Sequence, residues 1–337
     1  MPILRQTANR HDMSGGQAVL DGKSKESFDQ IAALRETLQS GLIGSELLVE
    51  RLLIGILTGG HLLIEGAPGL AKTRAVKLLA GALGGTFARV QCTPDLLPAD
   101  LTGTDVFNPE TGSFGFAAGP VFHNLVLVDE INRAPPKVQS ALLEAMAETQ
   151  VTSGGVTHPL PEPFFVVATQ NSIEHEGTFP LPEAQLDRFL LHVMLQLPDL
   201  ETEKRILDLV EAETRDGVPA PVALDLDVIR QARRDVTAVH LAPALRDYIA
   251  RLVVATRQPP LADEVEYAVS PRGSLALAAS CRARAYLAGR DHALPEDVAA
   301  LAGDTLAHRL VLTWAAAAAG RLPRQVIADA LQQTEPL

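Results

Sequence analysis

The sequence predicts an α/β fold: a parallel sheet of four or five strands covered on both faces by helices, with an all-helical domain after it. Three observations predict it. Short apolar runs rich in branched residues recur through the first part of the chain, and helical stretches separate them. After Pro198 the runs stop and only helical patterns remain. The length, 337 residues, suits two domains of roughly 100–200 residues each.

Residues 1–24 are polar, with Gly15, Gly16 and scattered charges, and are expected to form a flexible tail; Met13 is a second candidate start. Helical spacing begins near Ser27 and returns over Glu46–Leu57. The candidate strands are HLLIEG before Ala67, FARVQ at 87–91, LVLVD at 125–129, FFVVAT at 164–169 and FLLHVML at 189–195. They place an α/β domain at 25–197. Two interruptions stand out within it: an insertion at about 93–120, and at about 149–163 two short strands around Ser153-Gly154-Gly155, which read as a β-hairpin. Residues 198–337 form the expected all-helical domain, with a loop marked by VPAPVAL.

Composition is that of a folded chain, 47% hydrophobic and 21% charged. The net charge of -12 argues against a broad basic surface for nucleic acid. Two distant cysteines, Cys92 and Cys281, offer neither a disulfide framework nor zinc-ligand spacing, and suggest a reducing, cytoplasmic compartment. No apolar run reaches the ~18 residues of a membrane helix, so no membrane insertion is expected. His175 stands between Glu174 and Glu176 with no third ligand at metal spacing, and reads as a loop histidine.

The strongest local signal is GAPGLAKT: Gly66, Ala67, Pro68, Gly69, Leu70, Ala71, Lys72, Thr73, followed by Arg74. A strand precedes it and a helix follows, the context a phosphate loop requires. The glycines let backbone N–H groups approach phosphate, the lysine reaches the β/γ phosphates, and the threonine suits Mg²⁺. The usual second glycine is Ala71 here. A strand-to-helix turn with a surface lysine is the plain alternative.

The second signal is LVLVDE. Its carboxylates Asp129 and Glu130 end a buried strand, where open α/β sheets place ligands. Asp129 suits the Mg²⁺ shell and Glu130 the polarisation of an attacking water. Asn171, after FFVVATQ, is either a group that holds the lytic water or an ordinary turn asparagine. Arg188, in PLPEAQLDRF, is either a group supplied to a neighbouring subunit's nucleotide, worth roughly 10³–10⁵ in rate, or a partner of Asp187 or Glu183. Ser270-Pro271 is a helix start. It leaves Arg272 in a first turn where a cation is disfavoured unless an anion offsets it; a solvated arginine is the alternative.

The blocks GGHLLIEGAPGLAKT, RVQCTPDLLPADLTG, LVDEINRAPPKVQSALLEAMAE and ATQNSIEHEGTFPLPEAQLDRF resemble the signature blocks of the MoxR family of AAA+ ATPases, over about residues 25–310. The resemblance implies a P-loop NTPase fold with a five-stranded parallel sheet and a small helical lid. It implies ATP and Mg²⁺ as cofactors. Lys72 and Thr73 become the Walker A pair, Asp129 and Glu130 the Walker B pair, Asn171 sensor 1, Arg188 the arginine finger and Arg272 sensor 2. Ile43 and Gly44 fall in the block that contacts adenine, where the family usually has glutamine after the glycine and this chain has Ser45. Residues 93–120 match the helix-2 insertion of the clade. Arg133 is either a subunit-interface residue or a surface one.

The implied activity is ATP hydrolysis in a homo-oligomeric ring, a hexamer in expectation. Its motion remodels a protein client, which in this family often carries a von Willebrand A domain, in chaperone-like maturation or metal-cofactor insertion. A nucleotide-gated binding module with little turnover is the competing reading; Glu130, Asn171 and Arg188 argue against it. A DNA-remodelling role is disfavoured because 93–120 and 150–163 contain no lysine or arginine.

Overall fold

The computed structural model describes residues 22–110, 112–172, 177–217 and 223–336. The expected tail up to residue 21, most of the VPAPVAL loop, and His175 with its two glutamates lie outside the described residues. Helix α1 (Gly22–Gly41) starts inside the segment expected to be tail. Ser24 is buried and donates to Asp235 Oδ1 at 2.8 Å, which ties the helix start to the rest of the fold.

Helix α2 (Glu46–Thr58) follows α1 and leads into strand β1 (Leu62–Gly66), helix α3 (Lys72–Ala82) and strand β2 (Phe87–Gln91). The insertion contains helix α4 (Pro98–Thr102) and an antiparallel pair, β3 (Gly103–Asn108) with β4 (Ser113–Ala118). Strand β5 (Leu125–Asp129) and helix α5 (Pro136–Glu148) come next. The expected hairpin is β6 (Gln150–Ser153) with β7 (Val156–Pro159), before β8 (Phe165–Asn171), α6 (Glu183–Leu186) and β9 (Leu191–Met194).

The main sheet has five strands in the order β2-β5-β8-β1-β9, and every pairing is parallel. Side chains alternate across a strand, so the central strands β1, β5 and β8 feed two cores. Leu125, Leu127, Phe165 and Val167 pack with residues of α2 and α3 such as Leu52 and Leu79. Val126, Val128, Val166 and Ala168 pack with Val138, Leu142 and Leu143 of α5. Burial on both faces is what the continuous apolar runs required.

Beyond β9 come α7 (Leu200–Asp216), α8 (Leu226–Ala238), α9 (Pro243–Ala255), β10 (Val265–Tyr267), α10 (Pro271–Leu287), α11 (Pro295–Leu306), β11 (Val311–Leu312), α12 (Trp314–Ala318) and α13 (Pro323–Gln333). Asp199 and Asp225 cap α7 and α8 by accepting from the Thr202 and Asp227 backbone N–H groups, at 2.9 and 2.8 Å. The purely helical expectation needs one correction, since β10 and β11 form an antiparallel pair. Strands of three and two residues are too short to leave a period in the sequence. None of the described helices is long and apolar enough to cross a membrane.

Candidate functional site

The parallel register brings the carboxyl ends of four strands side by side. Gly66 of β1 is opposite Asn171 of β8, and Asp129 of β5 is opposite Gln91 of β2. Ligand sites in open α/β sheets lie along this rim. The loop from β1 to α3 crosses it. Gly69 has φ 87°, a conformation that disfavours other residues. A Cβ on Gly66 would stand 3.0 Å from Leu70 and 3.1 Å from Leu195. Ala71, in place of the usual glycine, has φ 52° and caps the start of α3, so the loop keeps a left-handed turn without a glycine there.

Lys72 is buried, and its Nζ donates to Gly66 O at 2.7 Å, Gln170 O at 3.0 Å and Asn171 Oδ1 at 2.8 Å. The ammonium therefore crosses from β1 to β8 beneath the loop. Asn171 Nδ2 donates to Glu130 Oε1 at 3.2 Å. Glu130 itself has φ 57° and ψ 52°. This left-handed backbone costs roughly 1–3 kcal/mol for a residue with a side chain. Its N–H is satisfied by Thr169 Oγ1 at 3.0 Å. The other carboxylate oxygen accepts from Gln91 Nε2 at 2.9 Å and Arg133 Nη1 at 3.2 Å.

Asp129 is buried at the end of β5. Thr73 Oγ1 lies 3.1 and 3.2 Å from its two oxygens, and Thr169 Oγ1 donates to Oδ1 at 2.8 Å. Arg89 Nε donates to Oδ2 at 2.9 Å. The Arg89 side chain is 42% exposed, so this pair stabilises the fold by at most about 1 kcal/mol. The hydroxyl and carboxylate oxygens of Thr73 and Asp129 match the oxygen ligands that Mg²⁺ prefers. Among the described residues no group of three or more His, Cys, Asp or Glu could hold a metal. Cys92, whose N–H donates to Asp129 O at 2.9 Å, has its thiol pushed up to about 12 by burial and by Asp129 and Glu130. It stays a neutral thiol there.

A cleft of about 920 Å³ adjoins the loop. Ile43, Gly44, Pro68, Gly69, Leu70, Ala71 and Arg74 line it from the α/β side, and Thr202, Ile206 and Val210 of α7 from the other. Ser45 lines it too. Its mixed apolar and polar walls suit a base and a ribose. The head of Arg74 is turned away, onto Glu213 and the Gly41 carbonyl.

Two candidate residues stand apart. Arg188 is exposed and lines a different cleft with Glu144 and Glu148. Asp187 does not pair with it: its carboxylate faces Arg309 at 3.1 Å and Arg272 at 3.4 Å. Arg272 is in the first turn of α10, with its side chain 68% exposed. The helix starts at the expected Ser270, but that side chain makes no capping bond. Arg89, Gln91 and Thr169 escape a reading of local motifs. Only strand alternation over FARVQ hints that Arg89 and Gln91 share a face.

The sequence and the fold both have known relatives. Residues 61–191 match the ATPase family associated with various cellular activities (AAA), and residues 261–330 match the AAA lid domain. The chain is 46% identical to Chaperone MoxR1 of Mycobacterium tuberculosis over 341 residues, 97% of this chain and 88% of that protein. It is 32% identical to Protein MoxR of Methylorubrum extorquens, over 84% of this chain and 88% of the relative. A crystal structure from Cytophaga hutchinsonii matches with a TM-score of 0.85 and 41% identity, over 94% of this chain and 97% of that one. With its sheet order, its lid and relatives matched along nearly their whole length, the chain belongs to the MoxR family of AAA+ ATPases.

Proposed function

We propose that this protein is an Mg²⁺-dependent ATPase that hydrolyses ATP to ADP and phosphate in the cleft between the sheet rim and α7, and uses the resulting motion to remodel a protein client. One observation carries the reading: Lys72, Asn171 and Glu130 form a continuous hydrogen-bonded row beside the Thr73–Asp129 pair, and the loop that leads into Lys72 lines a cleft of nucleotide size.

Each residue then has a role. Backbone N–H groups of the loop and the start of α3 attract phosphate oxygens. Lys72 leaves Asn171 for the β/γ phosphates, and Thr73 and Asp129 hold Mg²⁺. The ion, when bound, neutralises charge on the phosphate oxygens. Glu130 orients the attacking water, and Asn171 fixes Glu130 or that water by its amide. Ile43 and Gly44 contact the base. Arg272 meets phosphate from the lid side. Arg188 is exposed and lines a different cleft, which supports a role on a neighbouring subunit's nucleotide in a homo-oligomeric ring, a hexamer.

The chaperone relative supports client remodelling, and the family resemblance implies a partner with a von Willebrand A domain. Metal-cofactor insertion is one form that such maturation takes. Two buried, unpaired thiols go with a cytoplasmic setting. Steady-state hydrolysis and ATP binding on wild type and Lys72→Ala test the reading, with particle mass followed in parallel. Turnover by an assembled wild type, and loss of both binding and turnover in the variant, support it. Unchanged ATP affinity in the variant refutes the site.

A further inference from the structure

The two oxygens of Asp129 are held differently. Oδ1 accepts from Thr169. Oδ2 accepts from Arg89 Nε at 2.9 Å, and Arg89 Nη2 lies 2.8 Å from the same oxygen. Nη2 also donates to Gln91 Oε1 at 3.2 Å, which fixes the plane of the guanidinium. Strand geometry creates the arrangement. Arg89 and Gln91 are two residues apart on β2 and share a face, and the register sets Gln91 beside Asp129. The arginine stem then reaches along the strand to the carboxylate.

A guanidinium fork on one carboxylate oxygen takes the lone pairs that a cation needs. Asp129 is buried, so an ionised carboxylate without a partner there is costly. Arg89 is part-exposed, so its ion pair is weak enough to exchange. We propose that Arg89 is a positioning residue that serves as an internal counter-ion for Asp129 and leaves Oδ2 when a divalent cation binds. The inference rests on the reading of Asp129 as a metal-holding residue.

The test is Mn²⁺ binding in the presence of ADP, counted by electron paramagnetic resonance, so that no turnover is needed. Arg89→Ala and Arg89→Gln both bind Mn²⁺ about three- to fivefold tighter than wild type, as expected when a competing exposed ion pair is removed. A residue that merely braced the site would give the opposite sign. Arg133→Ala removes the same charge from the neighbouring carboxylate, and shifts the affinity by less than about twofold if charge alone is screened. Unchanged or weaker Mn²⁺ binding in the Arg89 variants overturns the proposal, as does equal tightening by Arg133→Ala. Asp129→Asn separates the two levels. If it binds Mn²⁺ as tightly as wild type, the metal role of Asp129 falls and this inference falls with it. The exposed Arg89 head leaves no core cavity, and two substitutions guard against one that misfolds.

Discussion

Lys72 and Asn171 share a hydrogen bond of 2.8 Å, from the ammonium nitrogen to the side-chain oxygen. The amide nitrogen of the same asparagine donates to Glu130. One planar group therefore sets the spacing between the candidate phosphate-binding cation and the candidate water-orienting carboxylate. Asn171→Ala removes that spacer but leaves Lys72 its two backbone acceptors. Turnover should fall on the order of 10²-fold, as when a single preorganised polar group is lost, while ATP affinity changes far less. Parallel hydrolysis and binding assays check this; full turnover in the variant removes Asn171 from the chemistry.

Arg188 supplies a prediction that depends on assembly. Arg188→Ala alone should lose roughly 10³-fold or more in turnover, and Glu130→Gln alone should be equally inactive. Mixed together they restore part of the activity, because some interfaces then pair an intact Glu130 with an intact Arg188 from the next subunit. No recovery in reassembled mixtures argues for a role within the chain.

His61 predicts a pH dependence of stability. Its Nδ1 accepts from the Val166 N–H at 3.0 Å and its Nε2 faces Met146 O at 3.2 Å, so the ring fits only as the neutral form that donates from Nε2. Burial is the main cause that brings its pKa from the usual 6.5 down to about 4. The unfolded chain thus takes up the proton first. The stabilisation is whole above pH 6.5 and is lost as pH falls toward 4, on the order of 3 kcal/mol in all. Urea unfolding at several pH values should show this slope, and His61→Gln should flatten it. An unchanged slope in the variant assigns the effect to other groups.

Ala71 predicts a gain. At φ 52° its Cβ carries the left-handed penalty, roughly 1–2 kcal/mol, part of which glycine gives back through the freedom of the unfolded chain. Ala71→Gly should raise unfolding stability by up to about 1 kcal/mol, measured by denaturant titration without nucleotide. A loss of stability means that the packing of the alanine methyl outweighs the strain.

Local pattern carried much of this molecule into view. The central strands are short, branched and apolar, so LVLVD and FFVVAT announce β5 and β8 directly. Gly66–Thr73 reads as a phosphate loop because strand, turn chemistry and helix follow within a few residues. Contacts made by strand order were not legible. Nothing in FARVQ says that β2 lies beside β5, so the hold of Arg89 on Asp129 and of Gln91 on Glu130 had to come from the fold. The pairing of Asp187 with Arg309 and Arg272, rather than with its neighbour Arg188, is likewise set by how α10 and the turn after α11 meet the end of α6. The β10–β11 pair was hidden by its brevity.

Glu130 is proposed to act on water at a site that binds ATP without its help. The most direct measurement is steady-state ATP hydrolysis with Mg²⁺ for wild type and Glu130→Gln, with ATP affinity determined on the same samples. The amide keeps the shape of the side chain and can still pair with Gln91 or Asn171, but it is no base. Turnover by the wild type is expected, together with a variant that binds ATP at least as well and does not hydrolyse it. Equal turnover by the two proteins, or binding of ATP by both with hydrolysis by neither, would contradict it.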